Sequence, residues 1–166
     1  ACLVGSEMCI RDSFQHDTFL KNFQIYNKGM ILCLDIVMPQ QPPESEQGNK
    51  EYKRHLQHNN EAYNKTIKFK NKRATQMKYR LVQGRGKAIY MIGVEDNGKC
   101  FGISQSQLLN SLDTLKTIAS YINATIRSIR MYRGMKVNSY IATVRISMPL
   151  SDIESQSLLD LSLIHI

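Results

Sequence analysis

The chain has 166 residues, of which 42% are hydrophobic, and a formal net charge of +8 at pH 7. This length is enough for one folded domain rather than two. No apolar run reaches the ~20 residues that a membrane-spanning helix needs, so we expect no membrane partner. The excess of lysine and arginine favours a nucleic-acid or ribosomal partner.

Both ends of the chain match a translated sequencing adapter. Leu161–Ile166 corresponds to the codons of a transposase mosaic end, and Met8–Ser13 corresponds to the reverse complement of the same oligonucleotide. We therefore expect residues 1–13, and most of residues 157–166, to be foreign to the natural protein, and we exclude them from the predicted fold.

Two cysteines, Cys33 and Cys100, remain between these ends. They form neither a disulfide framework nor a Cys-x-x-Cys metal pair, which favours a cytoplasmic location with reduced thiols. His55 and His58 are three residues apart, as two metal ligands on a helix can be, but no further ligands follow at a recognisable spacing. We interpret them as solvated histidines and predict no metal site.

Residues 14–47 form a poorly defined lead-in to the predicted domain. Within it, Met30–Met38 is a short apolar run that indicates a buried strand or a short helix. Pro39–Gln47 contains three prolines among polar residues and predicts a linker, so we place a domain boundary there. The predicted domain covers residues 48–156 and begins with a strand within Asn49–Leu56.

The segment Lys65–Arg80 is strongly basic and contains no acidic residue. Ala74, Met77 and Leu81 recur at helical spacing, which predicts an amphipathic helix. Its basic side has two open interpretations, contact with nucleic-acid phosphates or a solvated helix face. Further cations such as Arg127 and Arg130 make the positive charge general. The candidate contacts with RNA or the ribosome are Lys65, Lys68, Lys70, Lys72, Arg73, Lys78, Arg80, Arg85 and Lys87.

A strand and a tight turn are predicted after this helix. Gly84 and Gly86 are expected to end the helix, because glycine adopts the left-handed conformation at little steric cost. The apolar run Ala88–Val94 predicts a strand. Asn97-Gly98 predicts a hairpin turn in which both residues have positive φ, and residues 100–103 are the expected return strand.

The strongest helical pattern in the chain covers Gln105–Ala124, with an N-cap at Ser104 or Ser106. Apolar alternation then predicts a strand at Ala124–Tyr132, at an edge of the sheet, and another at Tyr140–Met148. This order of elements predicts an α+β two-layer sandwich, with two helices on one face of a mixed or antiparallel sheet.

The sequence contains no constellation of catalytic or nucleotide-binding residues. It lacks a Gly-x-x-x-x-Gly-Lys-Ser/Thr phosphate loop, and the glycine-rich Gly84–Lys87 follows a predicted helix, whereas a phosphate loop precedes one. Glu95 and Asp96 are adjacent, so we interpret them as the start of the turn rather than as a catalytic pair. We predict no catalytic, cofactor-binding or metal-binding residue in this chain.

Several segments of the chain are specific enough to compare with known families. In chain order they are Gly48–Lys53, Thr75–Leu81, Gly86–Tyr90 and Ile92–Gly98. Together they resemble the N-terminal domain of the GTP-binding protein 1 and 2 family, which are elongation-factor-like translational GTPases of the eukaryotic cytosol.

This resemblance implies that the full-length protein binds and hydrolyses GTP with Mg²⁺ and acts in translation elongation in the cytoplasm. It further implies that the present chain is an accessory domain, inactive alone, whose partner in the same polypeptide is a missing C-terminal GTPase domain. The chain departs from the family pattern at Lys87 and Met91, where the family tends to be acidic, and by a basic insertion around Lys65–Arg73.

A second resemblance supports an alternative function. Glu51–Lys53, a helix and then Ile92–Ile103 are similar to the divergent-AAA or Schlafen-type core domain, some members of which bind nucleotides or nucleic acid. This resemblance implies a stand-alone basic RNA-binding module, although a shared fold does not by itself establish a shared function.

Overall fold

The computed structural model describes residues 30–56 and 63–154, apart from the side chains of residues 63–69. The predicted adapter segments, residues 14–29 and His58 lie outside the described residues. The main elements are β1 (Ile31–Val37), β2 (Lys50–Lys53), α1 (Tyr63–Gln83), β3 (Lys87–Ile92), α2 (Gln105–Tyr121), β4 (Thr125–Arg133) and β5 (Tyr140–Ser147).

The strands of the described chain form one mixed sheet in the order β1-β4-β5-β3-β2. β5 is antiparallel to both β4 and β3, whereas β1 is parallel to β4 and β2 is parallel to β3. The prediction that β4 lies at an edge is wrong, because the apolar run at Ile31–Val37 forms a strand that pairs with it. The two strands lie far apart in the sequence, so local patterning could not reveal this pairing.

Both helices contribute to the main hydrophobic core on one face of the sheet. Ala74, Met77 and Leu81 of α1 belong to this core, as does the apolar side of α2. The predicted α+β sandwich with a mixed sheet is therefore confirmed. The sheet contributes Ile31, Cys33, Ala88, Tyr90, Ile92, Ile129, Met131, Ala142, Val144 and Ile146 to the core.

Helix α2 forms where its sequence pattern predicts a helix. Ser104 is the N-cap, and its hydroxyl accepts a hydrogen bond from the N–H of Gln107 at 3.3 Å. The side chain of Gln107 accepts one from the N–H of Ser104 at 3.1 Å, which completes a capping box. The residues predicted to face the core are all buried: Leu108, Leu112, Leu115, Ile118, Ala119 and Ile122.

The turn after β3 differs from the prediction. Gly98 has a φ of 86°, but Asn97 is not among the residues with positive φ. The N–H of Gly98 donates to the carbonyl of Glu95 at 2.8 Å, and the N–H of Glu95 donates to the carbonyl of Lys99 at 2.9 Å. Asp96 and Asn97 are therefore the central residues, and a single left-handed glycine follows them, as in three-residue hairpin loops.

The expected return strand at residues 100–103 is also wrong. Ile103 forms only one isolated bridge, with Tyr140 of β5. The carbonyls of Cys100 and Phe101 accept hydrogen bonds from the loop between β4 and β5. The physical reason is that β3 already has β2 on one side and β5 on the other, so it has no free edge for a return strand.

The other face of the sheet holds a second, smaller apolar cluster that includes Tyr52, Met91 and Ile141. Residues 39–48, which we call the proline-rich strap, run beside this cluster. The N–H of Gln41 donates to the carbonyl of Gly98 at 3.0 Å, so the strap is hydrogen-bonded to the turn after β3. The segment predicted as a linker is thus attached to the domain, with β1 of the same sheet preceding it.

Arg80 of α1 attaches the proline-rich strap to the helix layer. Its side chain is only 4% exposed, and its Nε donates to Oε2 of Glu51 at 2.6 Å. Its two terminal nitrogens donate to the four carbonyls of residues 45–48 at distances from 2.9 to 3.4 Å. Glu51 is buried and also pairs with Lys53, whose Nζ lies 3.1 Å from Oε1. Arg80 therefore joins three separate parts of the chain.

Glu44 is a partly buried carboxyl group of the same strap. Burial raises the pKa of Glu44, although the hydrogen bond that its carboxylate accepts from the N–H of Tyr52 acts in the opposite direction. The neighbouring carboxylates of Glu51 and Asp96 raise the pKa further. The charge of Glu44 is thus less favourable in the folded chain than in water.

Candidate nucleic-acid interface

The candidate interface begins at the C-terminal end of α1. The N–H of Gly86 donates to the carbonyl of Leu81 at 2.8 Å, and the N–H of Arg85 donates to the carbonyl of Val82 at 3.2 Å. These are the two hydrogen bonds of a Schellman motif. Arg85 has a φ of 49° and Gly86 a φ of 95°, whereas Gly84 is not among the residues with positive φ. The prediction of a left-handed Gly84 is therefore wrong, and that of a left-handed Gly86 is confirmed. An arginine occupies the position at which glycine is usual.

We expect Arg85→Gly to raise the free energy of unfolding by about 0.5–1 kcal/mol, because glycine adopts this φ without a steric penalty from Cβ. Urea denaturation of the full chain measures the change. Arg85→Ala is the matched control, since alanine removes the same charge but retains Cβ. Equal effects of the two substitutions would contradict a backbone origin.

An open cavity of about 770 Å³ lies beside Arg85, where β3 and β4 begin and β5 ends. Four cationic side chains line it, and no carboxylate does; the cations are Arg85, Lys87, Arg127 and Arg145. All four are exposed to solvent. The cavity is therefore electropositive and suited to an anionic ligand.

The register of the strands places part of the cavity lining, including Lys87 and Arg145, on the sheet face opposite the helices. Lys87 of β3 is paired with Ser147 of β5, while Arg145 lies two residues before Ser147 and thus on the same face. The Nε of Arg127 donates to the hydroxyl of Ser147 at 2.7 Å. This hydrogen bond orients one guanidinium group at the cavity.

The structure separates the predicted contact residues into different regions. Arg85 and Lys87 line the cavity, whereas Lys70, Lys72 and Lys78 are carried by α1 in the helix layer. The side chains of Lys65 and Lys68 lie outside the described residues. Arg73 is half-buried, and its Nη1 donates to the side chain of Gln76 at 3.4 Å.

The burial of Arg80 conflicts with its prediction as a nucleic-acid contact. Arg80 is buried, and its guanidinium is used by Glu51 and by the carbonyls of the proline-rich strap. A side chain held in this way cannot reach a phosphate group at the surface. Basic residues at helical spacing do not reveal which of them turns towards the sheet edge, so the sequence alone could not separate Arg80 from its neighbours.

Sequence reasoning did not select Arg127 and Arg145 as site residues, although Arg127 was counted in the general charge. Arg145 lies between the buried residues Val144 and Ile146, so the alternation along β5 already indicates that it points away from the core. The missing information was the sheet order, which brings Arg145 next to Lys87 of β3.

The loop Gly84–Lys87 connects the C-terminal end of α1 to β3, which is the reverse of a phosphate loop. Its amide groups at residues 84–86 are used in the helix-terminating hydrogen bonds.

The described part of the chain contains no cluster of three or more His, Cys, Asp or Glu side chains placed to hold a metal. Among the residues that the structure describes, no helix is long and apolar enough to span a membrane.

Comparison with known proteins gives partial matches. The chain is 42% identical over 92 residues to GTP-binding protein 2 of Mus musculus and, equally, to that of Homo sapiens. These matches cover 55% of this chain but only 14% of each relative. A match of 42% over 57 residues to Uncharacterized protein R625 of Acanthamoeba polyphaga mimivirus covers 34% of this chain and 31% of that protein.

No family model and no solved structure matches the chain. The relationship therefore rests on the aligned parts of the curated relatives. The identity to GTP-binding protein 2, extending over more than half of the chain, supports a relationship of this protein to GTP-binding proteins of that family.

Proposed function

We propose that this chain is an accessory domain of a GTPase related to GTP-binding protein 2, in which a further domain of the same polypeptide binds GTP and Mg²⁺. The observation that carries the proposal is the 42% identity over a segment that amounts to 14% of the relative. The position of Gly84–Lys87 after a helix supports it, because this loop does not present the N–H groups that bind a nucleotide phosphate.

Within such a GTPase, we propose that the domain contacts RNA or the ribosome and so positions the GTPase domain during a translation elongation step in the cytoplasm. The electropositive cavity supports this role, since cationic side chains without carboxylate partners favour phosphate-rich surfaces.

The proposal predicts that the full chain by itself does not bind GTP. Fluorescence anisotropy of a labelled GTP analogue, in the presence of Mg²⁺, is expected to show no saturable change on addition of the protein. Saturable binding that unlabelled GTP competes away would contradict the accessory role. The transcript gives an independent test, since a Gly-x-x-x-x-Gly-Lys-Ser/Thr motif is expected soon after the codon of Ser155.

A stand-alone basic RNA-binding module of the Schlafen-like type is the second candidate function. The same cavity favours it, because Arg85, Lys87, Arg127 and Arg145 need no GTPase domain to bind phosphates. A stop codon directly after Ser155 in the natural transcript would select this alternative. The two candidates differ in whether a GTPase domain is attached to the chain.

A further inference from the structure

We infer that the sheet face opposite the helices, rather than helix α1, binds the phosphodiester backbone of a single nucleic-acid strand. The contact surface is a basic stripe made of Arg85, Lys87, Arg127, Arg145 and Arg130. This inference rests on the proposed RNA-binding role and specifies where on the domain it resides.

The strand register arranges part of the basic stripe as a diagonal across three strands. Lys87 is paired with Ser147, two residues after Arg145, and Arg145 is paired with Ser128, two residues before Arg130. Diagonal neighbours of this kind are about 7–8 Å apart, so the row from Lys87 to Arg130 extends over about 15 Å. A single phosphate group would contact only part of this row, whereas a strand with successive phosphates can follow it.

The cations of the basic stripe have no carboxylate partner among the described residues. The ion pairs of the described chain engage other cations, namely Lys53 and Arg80 with Glu51, Arg54 with Glu95, and Arg133 with Asp35. All five residues of the stripe are exposed. An incoming phosphate therefore displaces water and counterions rather than an internal ion pair, which favours binding.

The same face provides little for reading bases. Tyr52 is buried and Tyr132 is half-buried, so neither offers the open ring on which a base stacks. The apolar cluster beside the proline-rich strap occupies the remaining part of this face. We therefore expect binding to depend on phosphate contacts and to discriminate poorly between base sequences and between RNA and DNA.

Salt dependence gives the first measurement. If all five cations contact phosphates of a single strand, log K falls with log salt with a slope of about −3.5. Affinity for a labelled single-stranded RNA then decreases about a hundredfold between 50 and 200 mM salt. Inorganic phosphate and ATP serve as competitors, because they carry phosphate groups without a continuous backbone.

Charge reversal at two places then locates the contact surface. The variant Lys87→Glu/Arg145→Glu alters the basic stripe, and Lys70→Glu/Lys72→Glu makes the same change of charge on α1. We expect the first variant to lose at least about tenfold in affinity and the second to change it by less than about threefold. The neutral variant Lys87→Gln/Arg145→Gln should make the slope shallower by about 1.4.

The outcomes separate the inference from the function on which it rests. A larger loss from the α1 variant would overturn the basic stripe but leave nucleic-acid binding intact. Undetectable or salt-insensitive binding by the unaltered chain would overturn the RNA-binding role as well. If ATP or inorganic phosphate displaced the RNA at a concentration equal to that of the RNA, the ligand of the basic stripe would be a small phosphorylated molecule and not a nucleic-acid strand. Circular dichroism of each variant confirms that the fold is retained.

Discussion

Arg80→Ala is expected to lower the free energy of unfolding by about 3–5 kcal/mol, the range observed when one partner of a buried ion pair is removed. The substitution leaves Glu51, which is 2% exposed, with only Lys53 as a cationic partner. It also removes the donors to the four carbonyls of residues 45–48. Urea denaturation followed by circular dichroism measures the loss.

The matched control for Arg80→Ala is Lys72→Ala, which removes one cation from an exposed position of the same helix. We expect its effect to stay within about 0.5 kcal/mol. The double variant Arg80→Ala/Glu51→Gln should recover part of the loss, since it removes the unpaired buried charge. Similar losses for Lys72→Ala and Arg80→Ala would contradict the role assigned to Arg80.

Leu115→Ala is expected to lower the free energy of unfolding by about 2–5 kcal/mol. Leu115 is fully buried in α2 and belongs to the core between the helices and the sheet. Its truncation removes apolar contacts and leaves a cavity that the surrounding strands and α1 can fill only partly. Thermal or urea unfolding of the full chain measures the change.

Leu109→Ala is the control for this prediction, because Leu109 is on the same helix and is 36% exposed. The chemical change and the change in helix propensity are identical in the two variants. We expect Leu109→Ala to cost about 1 kcal/mol, clearly less than Leu115→Ala, since about a third of Leu109 is already exposed to water. Equal losses at both positions would show that α2 does not bury its predicted face.

The sequence predicts those parts of the fold that depend on neighbouring residues. The spacing of Leu108, Leu112 and Leu115 indicates the buried face of α2, and Ser104 with Gln107 supplies its capping box. The alternation in β5 indicates which of its side chains are buried. These signals span only a few residues each, so they can be recognised without knowledge of the tertiary structure.

The candidate site was predicted only in part. Arg85 and Lys87 were selected as basic residues near a glycine-rich loop, and the structure places both at the cavity. Arg80 was selected for its charge alone, although it is buried against Glu51. Arg145 was not among the predicted contacts, because it is distant in sequence from Arg85 and Lys87. Only the pairing of β3 with β5 places Arg145 near Lys87.

Periodicity along a segment decides which of its sides avoids water, so local patterns are enough to predict both helices, most of the strands and the α+β class. The tertiary structure was needed to show that β1 joins the sheet beside β4 and that Arg80 holds the proline-rich strap. The tertiary structure also brings Lys87, Arg130 and Arg145 to one sheet face and places Arg85 and Arg127 at the adjoining cavity. These features depend on pairing between distant segments, which local side-chain patterns do not encode.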